Sequence, residues 1–114
     1  MAEAFDVKIE KKDKFAILRT DGYINNLGGE KISDIVNQLI NEGISNFILN
    51  FEKSNVVNSI GISILIEVIE NLSEIDGHIF FCNLTKTISN TFTVMGLTQF
   101  ANIYESEEEA INAI

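Results

Sequence analysis

The chain has 114 residues, of which 46% are hydrophobic and 22% charged, and its formal net charge is −9. These values are typical of one globular domain, here spanning 1–114, which needs no disulfide or metal to fold. Nucleic acids and anionic membranes repel an acidic surface, so the charge disfavours both as partners. The start MAEAFDVK lacks the features of a signal peptide, and no apolar run reaches the roughly 18 residues of a membrane span. We therefore expect a cytoplasmic protein without membrane insertion.

The first elements in chain order are two strands. Residues 5–10, FDVKIE, alternate apolar and polar side chains, which is the rhythm of a strand with one apolar face. The polar turn KKDK separates them from FAILRT, residues 15–20, a second run of strand character. The sequence therefore predicts a hairpin that ends at Asp21-Gly22.

Two helices and two buried strands follow. Asn25 and Asn26 offer an N-cap for a first helix that should end near Gly43, and Ser59 begins a second helix that should close before Gly77. Runs 44–51 and 78–84 are apolar enough for buried strands. Apolar residues recur at helical spacing in both helices, at Ile32, Ile35, Val36, Leu39 and Ile40 in the first and at Ile62, Leu65, Ile66, Ile69 and Leu72 in the second.

The last elements are a third helix, a short strand and a terminal helix. Residues 85–96 place Ile88, Phe92 and Met95 at helical spacing before Gly96, which predicts the third helix. Residues 102–104 resemble an edge strand. The capping box S-x-x-E at 106–109 predicts the start of the terminal helix. The order ββαβαβαβα predicts an α/β fold. We expect a mixed sheet of about four to five strands with about four α-helices packed on it.

Few residues offer catalytic or metal chemistry. His78 is the only histidine, and a Ser-His-Asp triad or a zinc site has no further support in the sequence. Cys82 lies in the apolar run IFFC and is interpreted as a buried small hydrophobe. Gly28-Gly29 lacks the rest of a phosphate-binding loop and is assigned to a turn or a helix start. The acidic run at 105–109 is explained by the charge preference of a helix N-terminus. We therefore expect no enzyme, no metal and no cofactor.

Ser59 is the residue that this chemistry leaves open. It stands with Asn58 between an apolar run and a helix. One interpretation is that Ser59 only caps the helix, because Ser and Asn are preferred N-cap residues. The other is that a protein kinase modifies it, because a hydroxyl at a helix start is accessible and a phosphate there is favoured by free N–H groups and the helix dipole.

The chain resembles STAS domains, the family of anti-sigma factor antagonists, over nearly its whole length. The similarity rests on ILNFEKSNVV, NSIGISIL and GHIFFCNLTKTISNTFTVMGL. Family members carry D-S-[SAT]-G-L-G, in which the serine is phosphorylated, and the matching positions here are Asn58, Ser59, Ile60, Gly61, Ile62 and Ser63. The segment TDGYINN similarly matches the family's G-E-[LI]-D segment, and it contributes Tyr23, Asn25 and Asn26.

The resemblance implies a protein-binding module regulated by phosphorylation. Such an antagonist, when unphosphorylated, docks on an anti-sigma factor that is a switch protein kinase and so frees the sigma factor. The kinase phosphorylates the serine, here Ser59, and a metal-dependent serine phosphatase reverses the step. The nine residues matched above are the implied partner-binding set, and we expect the free domain to be a monomer.

Three departures from the family pattern keep a second reading open. Asn58 replaces the acidic residue before the serine, Ile60 replaces a small residue, and Tyr23 and Asn25 replace acidic residues in the loop. The alternative is a STAS module that is not phosphorylated and docks on a transporter ATPase or a signalling scaffold. A small-molecule carrier would need a cavity among Phe47, Phe80, Phe92 and Met95, and an enzyme would need Ser59 close to His78.

Overall fold

In the computed structural model, which describes residues 5–114, strands and helices follow one another in the predicted order. The strands are β1 (Asp6–Lys11), β2 (Phe15–Asp21), β3 (Asn46–Lys53), β4 (His78–Cys82) and β5 (Asn102–Tyr104). The helices are α1 (Asn26–Asn41), α2 (Ser59–Ser73), α3 (Lys86–Val94) and α4 (Glu107–Asn112), and a 3-10 helix covers Leu97–Gln99. The expected α/β fold is confirmed, with five strands and four α-helices.

The five strands form one mixed sheet in the order β1-β2-β3-β4-β5. The predicted hairpin is present, since β1 and β2 are antiparallel and pair Asp6 with Asp21 and Lys11 with Ala16. All later neighbours are parallel because a helix returns the chain between them. The carboxyl ends of β2 and β3 therefore lie at one edge of the sheet, and α1 and α2 begin at that edge.

The two faces of the sheet have different covers. Alternate residues of β3 point to opposite sides, so Phe47, Leu49 and Phe51 join the large core with α1, α2 and α3. Within it, the rings of Phe51, Phe81 and Phe92 contact each other edge to face, with centroids 5.0–6.1 Å apart. The other face carries Ile17, Ile48, Phe80 and Cys82, and α4 packs there through Ala110. This placement makes Cys82 the buried hydrophobe that the sequence predicted.

Some apolar positions of the predicted helices and strands are not fully buried. Met95 follows the last residue of α3 and is exposed, so its place in the apolar stripe of that helix was wrong. Ile66 is half-buried, and Val68 completes the buried face of α2 instead. Ile9 is also exposed, because β1 is an edge strand whose outer face is only partly covered.

The carrier and triad hypotheses both fail on placement. Phe47 and Phe92 lie on one side of the sheet and Phe80 on the other, so they line no common cavity. His78 starts β4 beside Asn46, at the amino ends of the parallel strands. Ser59 starts α2 at the carboxyl edge, and the 15 residues of α2 span about 20 Å. None of the helices within residues 5–114 has the length and hydropathy needed to cross a membrane.

Candidate partner-docking site

The candidate site lies where two loops meet at the carboxyl edge of the sheet. The loop after β2 and the loop after β3 are joined by a parallel bridge between Ile24 and Val57. The amide of Ile24 donates to the carbonyl of Val56 at 3.0 Å, and the amide of Asn58 donates to the carbonyl of Ile24 at 3.1 Å. These backbone bonds fix the first turns of α1 and α2 side by side.

Both helices begin with the same local construction. The side chain of Asn25 accepts a hydrogen bond from the amide of Gly28 at 3.0 Å, and the side chain of Asn58 accepts one from the amide of Gly61 at 2.7 Å. Each asparagine has extended backbone angles, as an N-cap residue does. The prediction that Asn25 caps α1 is confirmed.

Ser59 does not cap α2, so that interpretation of its hydroxyl was wrong. Asn58 holds the cap position, and Ser59 is the first helical residue, with an exposed side chain. Its Oγ makes no hydrogen bond to any residue within 5–114, although its carbonyl accepts one from the Ser63 hydroxyl at 3.0 Å. The hydroxyl is thus available to a partner without loss of a structural contact.

Gly61 is required by the close approach of the two loops. A Cβ at this position would overlap the carbonyl oxygen of Ile24, the same group that accepts from the amide of Asn58. Gly29 lies nearer the middle of the interface, where a Cβ would come within 3.0 Å of the Ile64 side chain. Small residues therefore let the starts of α1 and α2 pack closely.

Only part of the segment 58–63, which the family resemblance implies as partner-binding, is exposed. Ser59, Ile60 and Ser63 are exposed, whereas Gly61 and Ile62 are buried and position their neighbours from below. In the other loop Tyr23 and Asn26 are exposed and Asn25 is half-buried by its capping role.

Exposed apolar side chains lie on the two joined loops and on the first helical turns that follow them, and we call Tyr23, Leu27, Val56 and Ile60 the apolar rim. Leu27 is 67% exposed, and Val56 and Ile60 are each 55% exposed. Sequence reasoning missed Leu27 and Val56. For Leu27 the signal was present in the repeated pattern Asn-x-apolar-Gly, which occurs as NNLG at 25–28 and NSIG at 58–61, whereas Val56 lies outside this pattern. Apolar side chains placed at a polar edge are typical of a protein-binding surface.

A second polar cluster lies on the α4 face of the sheet. Arg19 donates to both carboxylate oxygens of Glu107, at 2.7 and 2.9 Å, and to Glu10 at 2.9 Å. The amide of Asn50 also donates to Glu107, at 2.6 Å. Hydrogen bonding from Arg19 holds the pKa of Glu107 below its usual value. The sequence explained the acidic residues at the start of α4 by the helix dipole. The structure shows in addition that one of them, Glu107, is paired with Arg19.

This cluster anchors α4 to the sheet and is not a reactive centre. Cys82 lies beneath it, and burial raises the pKa of its thiol to about 12, which keeps the thiol unreactive. No group of three potential metal ligands occurs among residues 5–114.

Comparison with known proteins agrees with this architecture. The family model for the STAS domain matches residues 6–110. A candidate anti-sigma factor antagonist of Bordetella bronchiseptica, BtrV, is 20% identical over 105 residues, which cover 92% of this chain and 90% of BtrV.

Two solved structures share the fold. They are the anti-sigma factor antagonist SpoIIAA in its unphosphorylated form, with a TM-score of 0.75 at 22% identity, and Bacillus SpoIIAA in its phosphorylated form, with 0.74 at 23%. Each alignment covers 95% of this chain, and 96% and 98% of the respective SpoIIAA chain. At these identities the likeness establishes the fold of an anti-sigma factor antagonist.

Proposed function

The chain belongs to the STAS domain family, and we propose that it is an anti-sigma factor antagonist whose docking is controlled by phosphorylation of Ser59. The partner is an anti-sigma factor that is also a protein kinase. The unphosphorylated chain binds it in the cytoplasm and frees the sigma factor. The kinase phosphorylates Ser59 to end the contact, and a metal-dependent serine phosphatase restores it. The chain itself performs no catalysis and is a monomer when free.

The observation that carries the proposal is the free, exposed hydroxyl of Ser59, next to Ile60 of the apolar rim at the start of α2. Because Asn58 supplies the cap, the fold does not use the Ser59 side chain. A modified hydroxyl at this position leaves the core and the helix start unchanged. A partner that covers the apolar rim would, however, meet about two new negative charges at the centre of its contact.

The helix start can also hold the phosphate once it is formed. The amides of Ser59 and Ile60 make no hydrogen bond to residues within 5–114, and the first turn of α2 contains no acidic residue. Free amides and the positive end of the helix dipole favour an anion there.

The proposed docking surface has an inner and an outer part. Tyr23, Asn26, Ser59, Ile60 and Ser63 supply exposed contacts. The half-buried caps Asn25 and Asn58 and the buried Gly61 and Ile62 hold these contacts in place. Substitution of the first group should change partner affinity alone, whereas substitution of the second should also change stability.

Capture of the partner kinase from host extract, with variants of the chain as bait, tests the proposal. Wild-type chain and Ser59→Ala should retain the kinase, and Ser59→Asp should lose it. Asn71→Asp adds the same charge at an exposed position farther along α2 and should retain it. Loss of the kinase from Asn71→Asp as well would mean that any added charge on α2 disrupts binding.

The second candidate is a docking module without phosphorylation, on a transporter ATPase or a signalling scaffold. The apolar rim favours it as much as the antagonist, because exposed Leu27 and Ile60 would serve any protein partner. The same capture separates the two. A partner held equally by Ser59→Ala and Ser59→Asp indicates the fixed module.

A further inference from the structure

A depression lies at the other end of α2 from Ser59, and we call it the distal groove. Its walls come from the last turns of α2, the turn before β4 and the segment after the 3-10 helix, and its volume is about 410 Å³. The residues that matter for its chemistry are Ile69, Glu70, Asp76, His78, Ile79 and Phe100. A space of this size accepts one or two anchoring side chains of a partner.

Phe100 gives the groove an apolar wall that the fold does not need. It is 65% exposed, whereas the other seven phenylalanines, at 5, 15, 47, 51, 80, 81 and 92, are buried or half-buried. The floor is apolar as well, since Ile69 and Ile79 belong to the large core. An exposed aromatic ring beside an apolar floor is typical of a protein contact site.

The charge of the groove is negative and uncompensated. Glu70 lines the groove in the last turn of α2, where the helix dipole already places partial negative charge, and that turn contains no basic residue. Glu74, the C-cap residue, adds a carboxylate at the same helix end outside the lining. Asp76 follows in the turn. The ion pairs within residues 5–114 involve none of these three carboxylates. Carboxylates at a helix C-terminus are unfavourable for folding, and a cation from outside would relieve them.

We propose that the distal groove docks a basic segment of a partner protein. An apolar side chain of that segment lies against Phe100 over Ile69, and its lysine or arginine side chains face Glu70 and Asp76. A second copy of this chain fits poorly, because its net charge of −9 would oppose the same negative surface. The groove is about 20 Å from Ser59 along α2, so both surfaces can be occupied at once.

Titration of the full chain with a synthetic amphipathic helical peptide, with leucines on one face and lysines on the other, tests the proposal. Amide NMR shifts should change at Glu70, Gly77 and Phe100 and stay unchanged at Ser59 and Ile60. A peptide with glutamates in place of the lysines should not bind. Glu70→Lys and Phe100→Ser should each weaken the lysine peptide at least fivefold.

Matched variants separate the groove from general acidity. Glu108→Lys makes the same charge change on exposed α4, and Ile9→Ser removes an exposed apolar side chain on β1; both should bind the lysine peptide like wild type. Equal weakening by Glu108→Lys would overturn the proposal, because it would show diffuse charge attraction. Absence of binding, or peptide-independent shifts that grow with protein concentration, would overturn it too, the latter by assigning the groove to a second copy.

Discussion

The starts of α1 and α2 are built alike and differ at one functional position. In both, an asparagine caps the helix, an exposed apolar residue follows two positions later, and a glycine completes the first turn. The residue after the cap is Asn26 in α1 and Ser59 in α2. Since α1 folds without a hydroxyl at this position, the hydroxyl of Ser59 is not required by the helix start. The difference between the two helices therefore supports the proposal that Ser59 is the regulated residue.

The largest expected effect is a loss of stability on substitution of Gly61, which should exceed the loss at the equivalent Gly28. Gly61→Ala should lower the free energy of unfolding by about 2–3 kcal/mol, because its Cβ overlaps the backbone carbonyl of Ile24. Gly28→Ala should cost about 1 kcal/mol or less, since its Cβ stands 3.0 Å from the carbonyl oxygen of Tyr23 and alanine favours helix. Urea unfolding of both variants measures the difference. Equal losses would show that the two helix starts are equally tight.

The next effect tests the caps themselves. Asn58→Ala and Asn25→Ala should each destabilise the chain by about 1 kcal/mol, because each leaves a helix amide without its side-chain acceptor. Replacement by aspartate, which accepts the same bond, should restore most of the loss. Thermal or urea unfolding checks this. An Asn58→Ala variant with unchanged free energy of unfolding would contradict the assignment of Asn58 as the cap of α2.

A pH series tests the ion pair between Glu107 and Arg19, which holds the start of α4, whereas the Ser59 side chain at the start of α2 makes no such contact within residues 5–114. Arg19 lowers the folded-state pKa of Glu107 below 4.5, so this carboxylate contributes stability above that pH, and the contribution is lost as the pH falls through the folded pKa. The free energy of unfolding should therefore fall more steeply from about pH 5 to about pH 3 in wild type than in Glu107→Gln. Parallel curves would mean that Glu107 is not held by Arg19 in solution.

The smallest expected effect is that of removing the Ser59 hydroxyl. Ser59→Ala should change the free energy of unfolding by less than about 0.5 kcal/mol, as an exposed residue without contacts does. Ser106 is the matched control, because its hydroxyl accepts from the amide of Glu109 at 3.2 Å and caps α4. Ser106→Ala should cost about 0.5–1 kcal/mol. If Ser59→Ala were the more damaging of the two, Ser59 would have a structural role after all.

The sequence predicted the sheet, the helices and their order because apolar periodicity and turn residues are local signals. It also placed the start of α2 correctly, within the segment 58–63. It did not distinguish Ser59 from Asn58 as the cap, since both residue types have the same preference and only the backbone angles decide. The burial of Gly61 depends on Ile24, which is distant in sequence.

Features elsewhere in the molecule were also not predicted from the sequence. The contact of Arg19 with Glu107 joins residues 88 positions apart, and no periodicity encodes it. The exposure of Phe100 reverses the usual preference of an aromatic residue for the core. Met95 fitted the stripe of α3, but the helix ends before it, and Gly96 follows with a left-handed backbone at φ 84°. The extent of the domain over 1–114 and the monomeric state remain predictions.

Intact-mass spectrometry after incubation with ATP and host-cell extract tests the central claim most directly. Wild-type chain and Ser106→Ala should each gain one phosphate, and Ser59→Ala should gain none. Fragmentation of the wild-type product should place the phosphate on Ser59. A phosphate that persists in Ser59→Ala, or no phosphate on the wild-type chain, would contradict the assignment of Ser59 as the regulatory residue.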